Sequence, residues 1–121
     1  MLRRTFIASG LAVIAGGRPT YALDFTRIRS EWAFREFVTD RTLVDDFGGT
    51  LVFGGNGGLG GQRDRLRLTG GWVWDQDALC HRTAINGLEV ERDCKLLYIR
   101  GDTLVMQTKR GRSTEEVWKI R

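Results

Sequence analysis

The sequence predicts a mainly β domain: a small antiparallel β-barrel or sandwich with one short N-terminal helix and one disulfide. Three observations carry that expectation. From Thr42 onward, apolar residues recur at every second position in short runs broken by Gly-Gly, Asn-Gly and Gly-Asp, the pattern of strands joined by tight turns. Sixteen glycines against one proline favour a sheet over a helical bundle. Two cysteines, Cys80 and Cys94, lie in the stretch Gly70 to Cys94, which also holds Trp72, Trp74 and the only histidine.

The first residues read as a targeting segment. Arg3 and Arg4 precede a short apolar run, Phe6 to Gly16, and Thr20-Tyr21-Ala22 offers a small-x-small cleavage site. The run has about 11 residues, whereas a spanning helix needs about 20. A signal peptide over residues 1–22 is therefore expected, with a single β-rich domain over 23–121, no membrane span in the mature chain and a periplasmic or secreted location. Arg3-Arg4-Thr5-Phe6-Ile7 also looks like a twin-arginine signal, and the ordinary unfolded route stays open. The whole chain has 19 basic and 15 acidic residues; without Arg3, Arg4 and Arg18 the basic count falls to 16. A nearly balanced domain lacks the basic excess of a nucleic-acid binder. The roughly 99 remaining residues suffice for one modest core.

Asp24 to Arg29 reads as a polar lead-in. Ser30 can cap a helix running through Asp40, with Glu31 placed to suit the helix dipole. Ala33, Phe34, Phe37 and Val38 give that helix one apolar face, which would plug or flank a sheet. Alternation then predicts strands near 42–47, 50–54, 62–69, 71–76, 78–83, 88–99, 103–108 and 114–120. Leu51 and Phe53 share one strand face, as do Leu66 and Leu68, Trp72 and Trp74, and Leu104 and Met106. Arg100-Gly101-Asp102 reads as a hairpin turn in preference to an adhesion tripeptide.

Gly54 to Gly61 invites a phosphate-loop reading, but such a loop leads into a helix N-terminus. Here a strand pattern follows. Leu59 also stands where a glycine-rich calcium repeat places aspartate. The stretch is read as a mobile hairpin loop. Arg63, Arg65 and Arg67 would line one solvated strand face, with an anion stripe as the sharper alternative.

An even cysteine count in an exported domain points to a Cys80–Cys94 disulfide, worth about 3 kcal/mol for a loop of this size. The spacing is neither a CxxC redox motif nor any zinc pattern, so redox and metal readings are weak, and no metal or cofactor is expected. If the two cysteines oppose each other, facing residues have indices summing to 174. His81 then faces Asp93 and Thr83 faces Glu91 on one side, while Arg82 faces Arg92 on the disulfide side. His81 and Asp93 read as a surface ion pair in preference to part of a catalytic group, since Cys80 is committed and neither Ser30 nor Ser113 sits in a nucleophile elbow. Asp75 and Asp77 read as turn residues. Opposed arginines must splay into water, pair with carboxylates such as Asp75 or Asp77, or form an anion site.

Trp72-x-Trp74, Cys80 six residues later, Cys94 fourteen further on, an apolar strand, then Arg100-Gly101-Asp102 and Leu104 resemble a family of short exported bacterial proteins. That family is often labelled dihydrodipicolinate reductase. Phe37, Arg41-Thr42-Leu43, Leu51 and Gly60 also fit its pattern. The chain departs where the family commonly has arginine directly after the first cysteine; here His81 stands there, followed by Arg82. The resemblance implies an exported β domain. The label implies a nicotinamide enzyme, which needs a strand, a glycine-rich turn and a helix that this domain does not offer.

The expected architecture is therefore calycin-like, and the expected function is non-enzymatic binding of a small apolar or anionic ligand in the periplasm. Arg82, Arg92, Trp72 and Trp74 are the candidate contacts. A protein inhibitor of a periplasmic lysozyme or protease is the alternative. The reductase named by the label comes third.

Overall fold

The computed structural model describes residues 24–121, so the expected signal peptide lies outside the described residues. Ser30 starts a helix, α1 (Glu31–Phe37), by accepting a hydrogen bond from the Ala33 N–H at 3.1 Å. The helix stops earlier than the sequence suggests. Asp40 turns left-handed (φ 64°) and its N–H donates to the Phe53 carbonyl, which pulls the chain onto the sheet. Phe34 and Val38 are fully buried, whereas Phe37, placed by period on the same face, is 46 % exposed.

The described residues hold nine strands, one before the helix and eight after it: β1 (Thr26–Ile28), β2 (Leu43–Val44), β3 (Thr50–Phe53), β4 (Gly58–Arg63), β5 (Leu66–Asp75), β6 (Ala78–Ile85), β7 (Leu88–Arg100), β8 (Thr103–Gln107) and β9 (Glu115–Ile120). From β2 onward they pair antiparallel and close, through β8 on β7, into an eight-stranded barrel. The barrel alternative is thus the one realised. β1 adds to Leu97–Ile99 of β7, beyond the stretch occupied by β6. Among the described residues, no helix is long and apolar enough to cross a membrane.

Phe34 plugs the interior. Its ring centroid lies 5.7 Å from Phe53, 4.9 Å from Trp72 and 5.5 Å from Trp74. Leu43, Leu79, Leu97, Leu104 and Met106 complete a core that is closed to solvent. Trp72 is buried, and Trp74, on the same strand face, is half-buried.

Three sequence expectations are corrected. The polar lead-in contains β1, which buries Ile28 and sends Arg27 to Asp77 at 2.9 Å. The glycine-rich stretch is no mobile loop: a turn at residues 54–57 leads straight into β4, with Gly54 N–H bonded to the Gly58 carbonyl. Glycine is required at Gly61 because a Cβ there would collide with the Thr50 carbonyl of the curled neighbouring strand. The three-arginine stripe is broken as well. Asp64, left-handed at φ 56°, and Arg65 form a turn, so Arg63 and Arg67 belong to different strands.

The β6–β7 hairpin follows the inferred register. Cys80 opposes Cys94, His81 opposes Asp93, Arg82 opposes Arg92, and Thr83 opposes Glu91. Beyond Thr83 a bulge shifts the pairing by one, so that Asn86 and Gly87, both at positive φ, make the two-residue turn.

Candidate functional site

Alternation along this hairpin sorts its residues onto two faces with different chemistry. Cys80, Arg82, Arg92 and Cys94 share the outer face with Gly71 and Val73 of β5. The Cys80–Cys94 disulfide crosses this face with a Cα–Cα distance of 4.0 Å. Together with Gly71, Val73 and Ala84 it forms the floor of a groove of about 960 Å³. The rim carries Arg82, Arg92, Lys109, Arg110 and Arg112 against Glu89 and Asp93.

Not all these cations are free to meet a ligand. Arg92 is held by Glu89 at 2.6 Å. Hydrogen bonding from Arg92, reinforced by the charges of Arg92 and Arg82, keeps the Glu89 carboxyl below its ordinary range. Arg110 spans Asp75 at 2.8 Å and Asp77 at 3.3 Å, and Asp77 also takes Arg27. The hydrogen bond from Arg27 is the main reason the Asp77 carboxyl is held low. Among the described residues, Arg82 and the Lys109 ammonium make no ion pair or side-chain hydrogen bond, and Arg112 reaches only the Lys109 carbonyl at 3.2 Å.

The rim's basic run sits on an unusual backbone. Thr108–Gly111 forms a left-handed turn, with Lys109 at φ 52°, Arg110 at φ 51° and Gly111 at φ 87°. Left-handed geometry at two consecutive residues that carry a Cβ costs about 1–2 kcal/mol each. The turn persists because its surroundings fix it: the Lys109 N–H donates to the Asp93 carboxylate at 2.9 Å, and Arg110 is anchored to Asp75 and Asp77. Strain held in place by outside partners is a common mark of a functional segment.

The inner face is different again. His81 and Lys95 are buried, at 6 % and 4 % exposure. His81 Nδ1 lies 3.0 Å from the Thr83 hydroxyl, and Nε2 lies 3.9 Å from Glu91. Lys95 binds Glu116 at 2.9 Å and lies 3.8 Å from Glu91. Burial, aided by the Lys95 charge, pushes the His81 imidazole down to about 4. His81 is therefore neutral and interior, which corrects the expected surface ion pair with Asp93. Asp93 instead takes the N–H groups of Cys94 and Lys109.

The predicted residues divide accordingly. Cys80 and Cys94 are bonded, and Arg82 and Arg92 oppose each other at the groove. Trp72 is among the residues lining the groove and Trp74 is not; both rings pack against Phe34, with their indole N–H groups donating to the carbonyls of Gly54 and Gln76. Arg92 pairs with Glu89, not with Asp75 or Asp77. Lys109, Arg110 and Arg112 were missed, although the Lys-Arg-Gly-Arg run at 109–112 marks a basic turn in the sequence. Lys95 and Glu116 left no comparable signal.

No protein-family model matches the chain, and comparison with curated proteins and with solved structures likewise gives no match.

Proposed function

We propose that the protein is a non-enzymatic, exported binder of a small organic anion with an apolar body, held in the outer groove of the β6–β7 hairpin. One observation carries the reading. The groove has a disulfide and small residues for a floor, while Arg82, Lys109 and Arg112 on its rim are held in no ion pair among the described residues, Arg82 acting on Glu89 only at a distance. Arginine forks and an ammonium suit a carboxylate or phosphate, and a largely apolar floor suits the rest of such a ligand. The disulfide is compatible with an oxidising compartment.

Thermal unfolding at constant ionic strength tests this. Octanoate should raise the melting temperature, as binding to the folded state stabilises it, and octanol should do so far less. Arg82→Ala and Lys109→Ala should each remove most of the octanoate effect. No shift with octanoate, or a shift unchanged in both variants, sinks the proposal.

A second reading is a protein inhibitor, favoured by the 71 % exposed Leu88 and 52 % exposed Val90 just beyond the hairpin turn. A rigid hairpin presenting apolar residues beside arginines resembles an interface anchor. Under that reading Leu88→Asp should abolish inhibition of a periplasmic hydrolase while leaving the octanoate response intact. A hydrolase panel unaffected by the wild-type protein would remove it.

A further inference from the structure

We propose that His81, Glu91 and Asp93 form a binding site for a divalent transition-metal ion, with zinc the best-fitting choice. The site centres on the His81 side of the β6–β7 hairpin; His81 and Asp93 also border the groove, but the argument for the ion does not rest on the groove reading.

The register supplies the ligands. His81 opposes Asp93 and Thr83 opposes Glu91, so three donor side chains occupy neighbouring rungs of one ladder face. One donor atom from each lies within 4.8 Å of the others. Ligands of a tetrahedral zinc ion with bonds of about 2.0–2.2 Å are roughly 3.4 Å apart. The required contraction is small, and Glu91, with a 43 % exposed side chain, is free to supply it by rotation.

The imidazole is the observation that points to a ligand. Its side chain is 4 % exposed, and Nε2 has no hydrogen-bond partner. Nδ1 lies 3.0 Å from the Thr83 hydroxyl. With Nδ1 donating to that oxygen, Nε2 presents a bare lone pair toward the Glu91 carboxylate, 3.9 Å away. That separation is too long for a hydrogen bond with the other tautomer. Two acceptors facing one another across such a gap are what a metal ion between them would reconcile. A ligating histidine ordinarily has its second nitrogen oriented by an outer partner, as Thr83 does here. Asp93 is oriented similarly: Oδ1 accepts from the Cys94 and Lys109 N–H groups, and the Lys109 N–H also reaches Oδ2 at 3.2 Å, which leaves that oxygen's outer lone pair for an ion.

Charge agrees with a divalent ion. The groups facing the imidazole are Glu91, Asp93 and Glu116 on one side of the balance and Lys95 on the other. With a neutral imidazole, three carboxylates and one ammonium leave two negative charges unbalanced. Lys95 competes for Glu91 at 3.8 Å but keeps Glu116 at 2.9 Å when Glu91 turns to the ion. One imidazole nitrogen with two carboxylates suits zinc and its first-row neighbours, whereas magnesium and calcium favour all-oxygen shells. Three protein ligands leave a fourth position for water on the Glu91 side.

Calorimetric titration of the chelator-treated protein with Zn²⁺ should show one equivalent bound, and Co²⁺ should develop visible ligand-field bands. Glu91→Gln, which keeps the side-chain shape at an exposed position, should weaken Zn²⁺ by at least about tenfold. Lys95→Met should tighten it by removing the competing cation. Nitrogen-detected NMR of the wild type should show the His81 Nε2 resonance moving on metal addition, a readout that needs no variant. Absence of Zn²⁺ and Co²⁺ binding, an unmoved Nε2 resonance, or affinity unchanged in Glu91→Gln would each overturn the site. Equal affinity for Mg²⁺ or Ca²⁺ would overturn the assignment to a transition metal.

Discussion

Trp72 and His81 face each other across β5 and β6, yet they belong to clusters built on opposite terms. Trp72 packs on Phe34, and its indole N–H finds the Gly54 carbonyl at 2.7 Å. Its single polar atom is satisfied, so the whole residue contributes burial. His81 is equally hidden from solvent but keeps Nε2 without a partner, beside an ammonium and carboxylates. Burial of that kind opposes stability, because an unpaired polar atom loses its water and gains nothing in return. The aromatic cluster fills the barrel interior. The polar cluster is tolerated by it, and such a cluster is a natural place to look for chemistry.

The largest expected effect tests the first half of that contrast. Phe34→Ala removes the ring that joins α1 to Phe53, Trp72 and Trp74. It should destabilise the protein by about 3–5 kcal/mol in denaturant unfolding. A loss below about 1 kcal/mol would mean that the helix is not what closes this cluster. Next in size is the staple beneath both clusters: Cys80→Ala with Cys94→Ala should cost about 3 kcal/mol, measured against the oxidised parent.

Acidity should separate the clusters. Folded His81 takes a proton only near pH 4, whereas an ordinary imidazole does so near 6.5. Between those values the unfolded chain binds more protons, so stability rises with pH there and is lost as pH falls from about 6.5 to about 4. The loss in chelator-treated protein should be on the order of 3 kcal/mol, and it should vanish in His81→Leu. A profile identical in the two proteins would show that His81 is not the buried neutral group described here. The smallest effect is the most telling. At pH 7, His81→Leu should change stability by less than about 1 kcal/mol, or raise it, since it removes an unsatisfied buried nitrogen while keeping similar volume. A loss as large as that of Phe34→Ala would erase the distinction between the clusters.

Much of this architecture is local and therefore legible in the chain. A period of two from Thr42 onward marks strands because side chains alternate across a pleated sheet. Ser30 marks a helix start because its hydroxyl can reach the Ala33 N–H. The paired cysteines set the β6–β7 register, and from it the opposition of Arg82 to Arg92 and of His81 to Asp93 follows by counting. Closure was not local. Pairing of β8 with β7 decided barrel over sandwich, and pairing with Thr50–Phe53 made Gly58–Arg63 a strand, with Gly61 set against the Thr50 carbonyl. Which face of the hairpin lies inside was equally a tertiary matter. Alternation puts His81 and Cys80 on opposite sides, but only the ring of strands shows that the histidine is the buried one. Glu116, which meets Lys95 of the hairpin, and the left-handed turn at 108–111, which meets Asp93, reach the hairpin from β9 and the β8–β9 connection. Sequence fixes what each side chain can do within a few residues of itself; which distant charge it meets, and whether water reaches them both, depends on how the sheet closes.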